Sequence, residues 1–548
     1  LYPEMEYVAS SNAILSWQKS TKSMGFLASD VAPEGLHTGR VDFIGRGQSI
    51  WAPRSLETLD FLPAQDMKAY PTFDPVGSLM INALVAPKSS STMRLMIGYS
   101  KNKKMALEII SKYLKPNPAQ SSALPEKKRR ALLIGHGEIP QGTPQPYYEY
   151  LDNGNKLKVL TPYTPRPFDH AMSNALHSTM VTNRGLHTSC NGNSQQNRLT
   201  PDWPDTVTKE TPTEAIYLYD PDRDEWYSPT YQPLNDNNAK HESEFSVDGT
   251  AVFRMKDGSL SSQLTVFVPT EDPLGVYMLT LRNDEDKPRR MRIAPYFQMV
   301  LALQPERSGP LQMRHDKASD ALYYANCRNI FRSGWAFASM SIPADCVETK
   351  RGRFFGSHRG VKRPFMVENA VSDVTQLTDD GQIAGFVGTV EIPARGECTV
   401  AIVLGQAEDH KKAVTLVQKY KNLETVRKEL ESTRKWWLGL MGTVKVETNQ
   451  PEFDRYQNWL KYQALAERIW ARRGFYQTSG AFGFRDQLQD TVNLIWVDPA
   501  LARKQILLHA SQQFVEGDVT HWFFTLTDGR AAFSCRSHAS DNPLWLAW

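Results

Sequence analysis

The stretch Gly480-Ala-Phe-Gly-Phe-Arg485-Asp486-Gln-Leu-Gln489-Asp490, followed by Phe514-Val-Glu516-Gly-Asp518-Val-Thr-His521-Trp522, gathers acids, amides, a guanidinium, an imidazole and aromatic rings close to the C-terminus. On a helix, the four-residue interval places Asp486 and Asp490 on one face, with Arg485 and Gln489 beside them. Carboxylates and amides make paired hydrogen bonds to sugar hydroxyls, and flat aromatic faces cover the apolar side of a sugar ring. A salt-bridged helix surface carries the same letters, so the pattern alone leaves both readings open.

The 548 residues exceed what a single core serves, so about two to four domains are expected. An apolar content of 41% with 22% charged residues excludes wholesale disorder. Lysine and arginine number 63 against 60 acids, a balance that gives no support to a nucleic-acid partner. The run Lys127-Lys128-Arg129-Arg130 therefore reads as a solvated linker. The five cysteines, Cys190, Cys327, Cys346, Cys398 and Cys535, are scattered and form no CxxC pair. Reduced thiols in a cytoplasmic compartment fit better than a disulfide framework or a zinc site. No apolar run reaches the ~18 residues that a membrane span needs. Leu1-Tyr-Pro-Glu is neither an initiator methionine nor a signal peptide, and both ends are expected to be cut from a longer protein.

An internal repeat is readable by eye. Phe43-Ile-Gly45…Pro53 resembles Phe354-Phe-Gly356…Pro364, an offset of 311 (364 minus 53). Met93–Gly98 and Lys104…Tyr113 resemble Thr399–Gly405 and Lys412…Tyr420 at an offset of 307 (405 minus 98), so one short gap reconciles the two. Each copy reads as strands ending in a helix. Ala83–Ala86, Met93–Ile97, Thr389–Ile392 and Thr399–Leu404 have strand character, as do Glu214–Tyr219, Thr250–Met255, Ser262–Val268, Gly275–Arg282 and Arg290–Met299. Strands at this spacing argue for a large antiparallel sandwich. From about residue 408 the period becomes helical, through Lys411–Tyr420, Leu423–Leu440, Glu452–Arg473 and Pro499–Phe514. The expected division is therefore the C-terminal part of a first sandwich repeat (1–115), a connector (116–145), a second sandwich (146–408), linker helices (409–446) and the opening of an all-α domain (447–548).

Together the FRDQLQD line and the Gln513–Trp522 line resemble the glycoside phosphorylases of glycoside hydrolase family 94, in particular the C-terminal phosphorylase-like region of cyclic β-1,2-glucan synthases. Thr164-Pro-Arg166-Pro, Asn193-Ser…Asn197-Arg198-Leu-Thr-Pro201, Phe267-Val-Pro-Thr-Glu-Asp272-Pro, Trp459-Leu-Lys-Tyr462-Gln463 and Ser540-Asp541-Asn-Pro-Leu-Trp545 extend the resemblance over most of the chain. It implies β-sandwich modules, duplicated with the first partial, then linker helices and the start of an (α/α)6 toroid. It also implies an inverting phosphorolysis of β-glucans, β-1,2-linked by this likeness, in which inorganic phosphate replaces the activated water of an inverting hydrolase. Glucose 1-phosphate is the implied product, and no metal or organic cofactor is required.

Carried over by position, Arg485, Asp486, Gln489 and Asp490 hold the glucose on the non-reducing side of the cut, and Glu516, Asp518, His521 and Trp522, at the next helix end, line the same cavity. Asn193, Asn197 and Arg198 lie on a sandwich loop that completes the site in some relatives, in a few across a homodimer. The family's general acid sits in a GDWNDG-type motif, expected downstream of Trp548. Asp202-Trp203-Pro-Asp205 looks similar but occupies a sandwich position and is rejected as the acid. In a synthase setting the implied upstream neighbour is a membrane-anchored glycosyltransferase region, which would fix the full-length protein to the inner membrane. Phe523, Phe524 and Asn542 depart from the family's HWWHP and SDD patterns, and Arg536 stands near the place of a family arginine. These departures keep open a non-catalytic carbohydrate-binding or scaffold protein of the same fold; a hydrolase on the same toroid is a further alternative. Trp436, Trp437 and Trp459 fall on helical stripes and read as packing; His170, His177 and His187 lack metal-ligand spacing.

Overall fold

A computed structural model of the chain describes residues 3–44, 53–63, 70–71, 75–83, 85–115, 146–164, 167–202, 213–236, 238–304, 308–356, 360–371, 382–474, 478–526 and 530–548. The connector 116–145, the basic run within it, Gly45, Arg166, Trp203 and Asp205 lie outside these residues. Contacts divide the chain into two units, Leu1–Gly137 and Glu138–Trp548.

The two units share a succession of elements. In the first, strand Gly35–Gly39 runs into helix Arg40–Ile44, and helix Arg54–Thr58 follows Pro53. In the second, strand Cys346–Lys350 runs into helix Arg351–Phe355, and helix Phe365–Asn369 follows Pro364. Each lies 311 positions later (346 minus 35). Beyond them the helices Lys103–Tyr113 and His410–Tyr420 begin 307 apart (410 minus 103), and each has a side-chain cap: Asn102 accepts from the amide of Met105, Asp409 from that of Lys412. Both bury the same stripe against their sheet, Ala106 and Ile110 in one and Ala413 and Val417 in the other.

A glycine repeats for the same reason. Gly98 pairs with Phe26 between strands Leu95–Ser100 and Ser23–Ser29; Gly405 pairs with Phe337 between Glu397–Ala407 and Trp335–Met340. A Cβ would stand 2.5 Å from the first phenylalanine ring and 2.8 Å from the second, so neither position has room for a side chain.

In the second unit ten antiparallel strands form one sheet, with Glu397–Ala407 and Leu274–Asn283 paired at its middle. A five-stranded sheet, centred on Arg289–Gln298, packs its apolar face onto it. Phe245, Leu264, Tyr277, Ile293, Phe386 and Leu404 fill the space between and are at most 1% exposed. Alternation along the strands sends these residues inward and the charged ones out. Ala83–Ala86 forms no strand at residues 83, 85 and 86; Pro87 removes a donor and Lys88 turns into the left-handed region (φ 59°).

Helices follow from His410. Leu423–Met441 and Pro451–Gln463 are regular, but the expected single helix to Arg473 changes at Ala464–Ala471 into a wider π-type turn that ends at left-handed Arg472. Phe484–Ile495 and Pro499–Ala510 complete an antiparallel pair, the second stopping before the expected Phe514. Trp437, Tyr462, Leu465, Ile469 and Leu494 form their core, together with Val247 from a sandwich turn. Polar anchors reinforce this seam: Tyr462 donates to the carbonyl of Ala171 (2.8 Å), Trp459 Nε1 to that of Gly154 (2.7 Å) and Ser173 to that of Ala466 (2.6 Å). Among the described residues no helix is long and apolar enough to cross a membrane.

Candidate functional site

The FRDQLQD line begins a helix because Gly483 is extended and its amide donates to the Gln487 side chain (2.5 Å), which holds the first turn. Phe484 and Leu488 turn inward and pack with Val519, leaving Arg485, Asp486 and Gln489 exposed. The carboxylate of Asp486 lies against the Cα of Gly483, closer than any Cβ would permit. Asp490 sits one turn on, half-buried, where Arg468 Nε donates to it at 3.0 Å. Burial raises the pKa of Asp490, and the neighbouring Asp486 adds to this against the opposing pull of Arg468.

His521 and Trp522 lie on a strand, Thr520–Thr525, and not at a helix end. Phe514 and Asp518 close a turn around Gly517 (φ 94°), and the β-branched and aromatic residues of the Thr-His-Trp-Phe-Phe-Thr that follows suit a pleat. This strand pairs with Ala531–Arg536 on one side and with Phe482–Gly483 on the other, where Trp522 stands opposite Gly483. The start of the FRDQLQD helix and the Trp522 strand are thereby fixed side by side. A third segment joins them: Asp541 accepts from Arg485 Nη1 at 2.7 Å, and Asn542 lies 3.4 Å from His521 Nδ1.

Arg485, Asp486, His521 and Trp522 are thus brought together, with Asp490 and Gln489 along the same helix. Glu516 and Asp518 are held beside that strand by Arg536, which reaches Asp518 at 2.6 Å and Glu516 at 3.1 Å while stacking 4.0 Å from the Phe514 ring. Hydrogen bonding to Arg536 lowers the pKa of Asp518, and Arg485 lowers that of Asp541 in the same way. Arg468 and Asp541, the partners of two expected site residues, are added by the structure. Asp541 lay in a quoted motif; Arg468 carried no sequence signal.

Asn193, Asn197 and Arg198 are buried, and each makes hydrogen bonds within the fold. Asn193 accepts from the amides of Gln195 and Gln196; Asn197 bonds the Asn191 carbonyl and the Gln406 side chain; Arg198 donates to the carbonyls of Ser194, Asp202 and Leu303. The loop nevertheless touches the site's scaffold. Gly480 (φ 63°) fits so tightly against it that a Cβ would collide with Asn193 Oδ1 and the Gln195 amide. Arg472 spans the junction, donating to the carbonyls of Gly480 and Gly192.

Residues 1–116 and 157–423 match the family model described as glycosyl hydrolase 94, supersandwich domain, and 436–547 match that of the glycosyl hydrolase 94 superfamily, catalytic domain. The chain belongs to glycosyl hydrolase family 94. It is 34% identical over 390 residues to the cyclic beta-(1,2)-glucan synthase NdvB of Rhizobium meliloti (strain 1021), covering 70% of this chain and 14% of that one. It is 24% identical to the 3-O-beta-D-glucopyranosyl-beta-D-glucuronide phosphorylase of Paenibacillus borealis and 23% identical to the N,N'-diacetylchitobiose phosphorylase of Vibrio furnissii. These matches cover 73% and 69% of this chain and 51% and 48% of the relatives, so the chain spans about half the length of either phosphorylase. The residues that depart from the family pattern are absorbed into the core of this family 94 chain. Phe523 is fully buried, 5.3 Å from the rings of both Phe482 and His509, and Asn542 is 1% exposed.

Proposed function

We propose that residues 480–548 form the sugar-gripping wall of an inverting glycoside phosphorylase that acts on β-glucans, with β-1,2-linked glucan as substrate. Inorganic phosphate is the co-substrate. It attacks the anomeric carbon from the face opposite the leaving sugar, a carboxylic acid protonates the departing oxygen, and glucose 1-phosphate is released. No metal or organic cofactor enters this scheme.

The observation that carries the reading is the convergence of Arg485, Asp486, His521 and Trp522 at one helix start, with Asp490 one turn along. Four polar groups and an indole presented together from a helix and a strand suit hydroxyl recognition on a rigid support. Asp518 and Asp541 are kept ionised by guanidinium partners, and Asp490 accepts from Arg468, so the cluster combines carboxylate acceptors with guanidinium donors. The proton donor is assigned to a segment outside these 548 residues.

Titration calorimetry of the 548-residue chain with linear β-1,2-gluco-oligosaccharides tests the reading. Saturable binding is expected, lost in Asp490→Ala with an unchanged melting temperature. Incubation with the same glucan and phosphate is expected to release no glucose 1-phosphate. Absence of binding to any β-glucan would overturn the assignment of the wall, and sugar phosphate release would place the acid within this chain.

A further inference from the structure

The wide turn Ala464–Ala471 ends, like the last turn of any helix, on carbonyls that have no partner inside it. Side chains take them up. Arg472 Nη1 donates to the carbonyls of Ile469 and Trp470, each at 3.2 Å, and Gln487 Nε2 donates to that of Arg468 at 3.2 Å. Gln487 comes from the neighbouring helix Phe484–Ile495 and is 5% exposed. The other end of its amide is occupied as well, since Oε1 accepts from the Gly483 amide. A main-chain N–H only donates and a carbonyl only accepts, so these two partners fix which way the Gln487 amide points. Glutamate would lack the donor, methionine would lack both groups, and asparagine is one methylene shorter.

Each partner of Gln487 carries a different part of the cluster. Gly483 stands opposite Trp522 and opens the helix that presents Arg485 and Asp486. Arg468 holds Asp490, with Nε donating to Oδ2 at 3.0 Å. The Arg468 side chain is half-exposed, and this is the hydrogen bond it makes among the described residues. Its direction therefore depends on where the backbone of the turn is held, and Gln487 holds that backbone at Arg468 itself.

We propose that Gln487 is a positioning residue, which by joining the Arg468 carbonyl to the Gly483 amide sets the Arg468 guanidinium on Asp490 and aims that carboxylate at the sugar. The aim at the sugar rests on the reading of residues 480–548 as a sugar-gripping wall; the link from Gln487 through Arg468 to Asp490 stands on the geometry alone. The charged groups acting on Asp490 are Arg468 from the wide turn and Asp486 from its own helix. Glu467, on the same turn, also feels Arg468. Of the other elements packed on this helix, Pro499–Ala510 carries Arg503, Lys504 and His509, and Thr520–Thr525 carries His521. His509 lies at the Gly483 end of the helix, 3.4 Å from that carbonyl.

Asp490 itself reports the link, without any ligand. In the 548-residue chain, isotope-labelled at the aspartate carboxyl carbons, the resonance that Asp490→Asn removes is titrated by NMR. Arg468→Met is expected to raise the pKa of Asp490 by about one unit, because an opposite charge is lost. Gln487→Met is expected to raise it by a similar amount, and the double variant by no more than either. Gln487→Asn, too short to hold both partners, is expected to move it in the same direction and serves if Gln487→Met does not fold. An unmoved Asp490 in a folded Gln487 variant, or additive shifts in the double variant, overturns the proposal; a merely structural glutamine would lower stability without moving this titration. Calorimetry with linear β-1,2-gluco-oligosaccharides is read separately. Gln487→Met is expected to weaken binding by about tenfold or more, and a shifted Asp490 with unchanged binding overturns the aim at the sugar. Absence of binding by the parent overturns the wall, while the titration still decides the role of Gln487.

Discussion

The guanidinium of Arg473 lies 3.0 Å from the carboxylate of Asp202, with the two side chains 0% and 5% exposed. One belongs to the segment that leads into the FRDQLQD helix, the other to the sandwich. Thr478 donates to the same carboxylate oxygen at 2.7 Å, and His187 lies 3.2 Å from the other. Burial alone would raise the pKa of Asp202, but Arg473, His187 and Arg198 outweigh it and hold the group well below the usual carboxylate range.

Asp202→Asn should therefore destabilise the chain by about 3–5 kcal/mol, since the buried guanidinium loses its counter-charge. The sign of the pH dependence follows from the lowered value. The stabilisation is complete above the unfolded pKa of about 4 and is lost as the pH falls through the lower folded value. Chemical denaturation at pH 7 and pH 3 checks both: the gap between parent and variant should narrow at the lower pH. An equal gap at both would remove Asp202 as the titrating group.

Gly480→Ala should loosen the same junction from the other side. Its left-handed backbone and the contact with Asn193 and Gln195 leave no place for a methyl group. A cost of about 1–3 kcal/mol is expected from strain and displaced neighbours, accompanied by weaker binding of β-1,2-gluco-oligosaccharide. Normal stability with weakened binding would show that the loop positions the site without holding the domains together.

What the sequence made legible was short-range or repeated. The interval between Asp486 and Asp490 follows from helical geometry, and the offsets of 311 and 307 recur in whole elements because the same core is built twice. Partners distant along the chain were not legible: Arg485 and Asp541 are 56 residues apart, and Arg468 reaches Asp490 from a π-type turn. The strand at Thr520–Thr525 is not legible through the family resemblance, which suggests a helix end, although its β-branched and aromatic residues favour a pleat.

Glu467 offers a pH test within that wide turn. Burial, then the nearby Asp169, pushes its carboxyl up to about 8. An acid with a raised folded pKa contributes fully below its unfolded value of about 4.3, and the contribution is lost as the pH rises through about 8. Glu467→Gln should accordingly gain stability relative to the parent between pH 6 and pH 9. Parallel melting curves for the two proteins across that range would contradict the assignment.

Arg485 and Asp541 form an exposed pair, 45% and 43% accessible, so neither is expected to support the fold appreciably. Their consequence should appear in ligand binding. The pair fixes the direction of a guanidinium that otherwise rotates freely, and charge-assisted hydrogen bonds to hydroxyls depend on that direction. Arg485→Ala and Asp541→Asn should leave the melting temperature unchanged and each weaken binding of β-1,2-gluco-oligosaccharide by about tenfold or more. If Asp541 acts by orienting Arg485, its substitution should have little further effect in the Arg485→Ala background. Additive losses in that double-mutant cycle would instead assign Asp541 its own contact with the sugar.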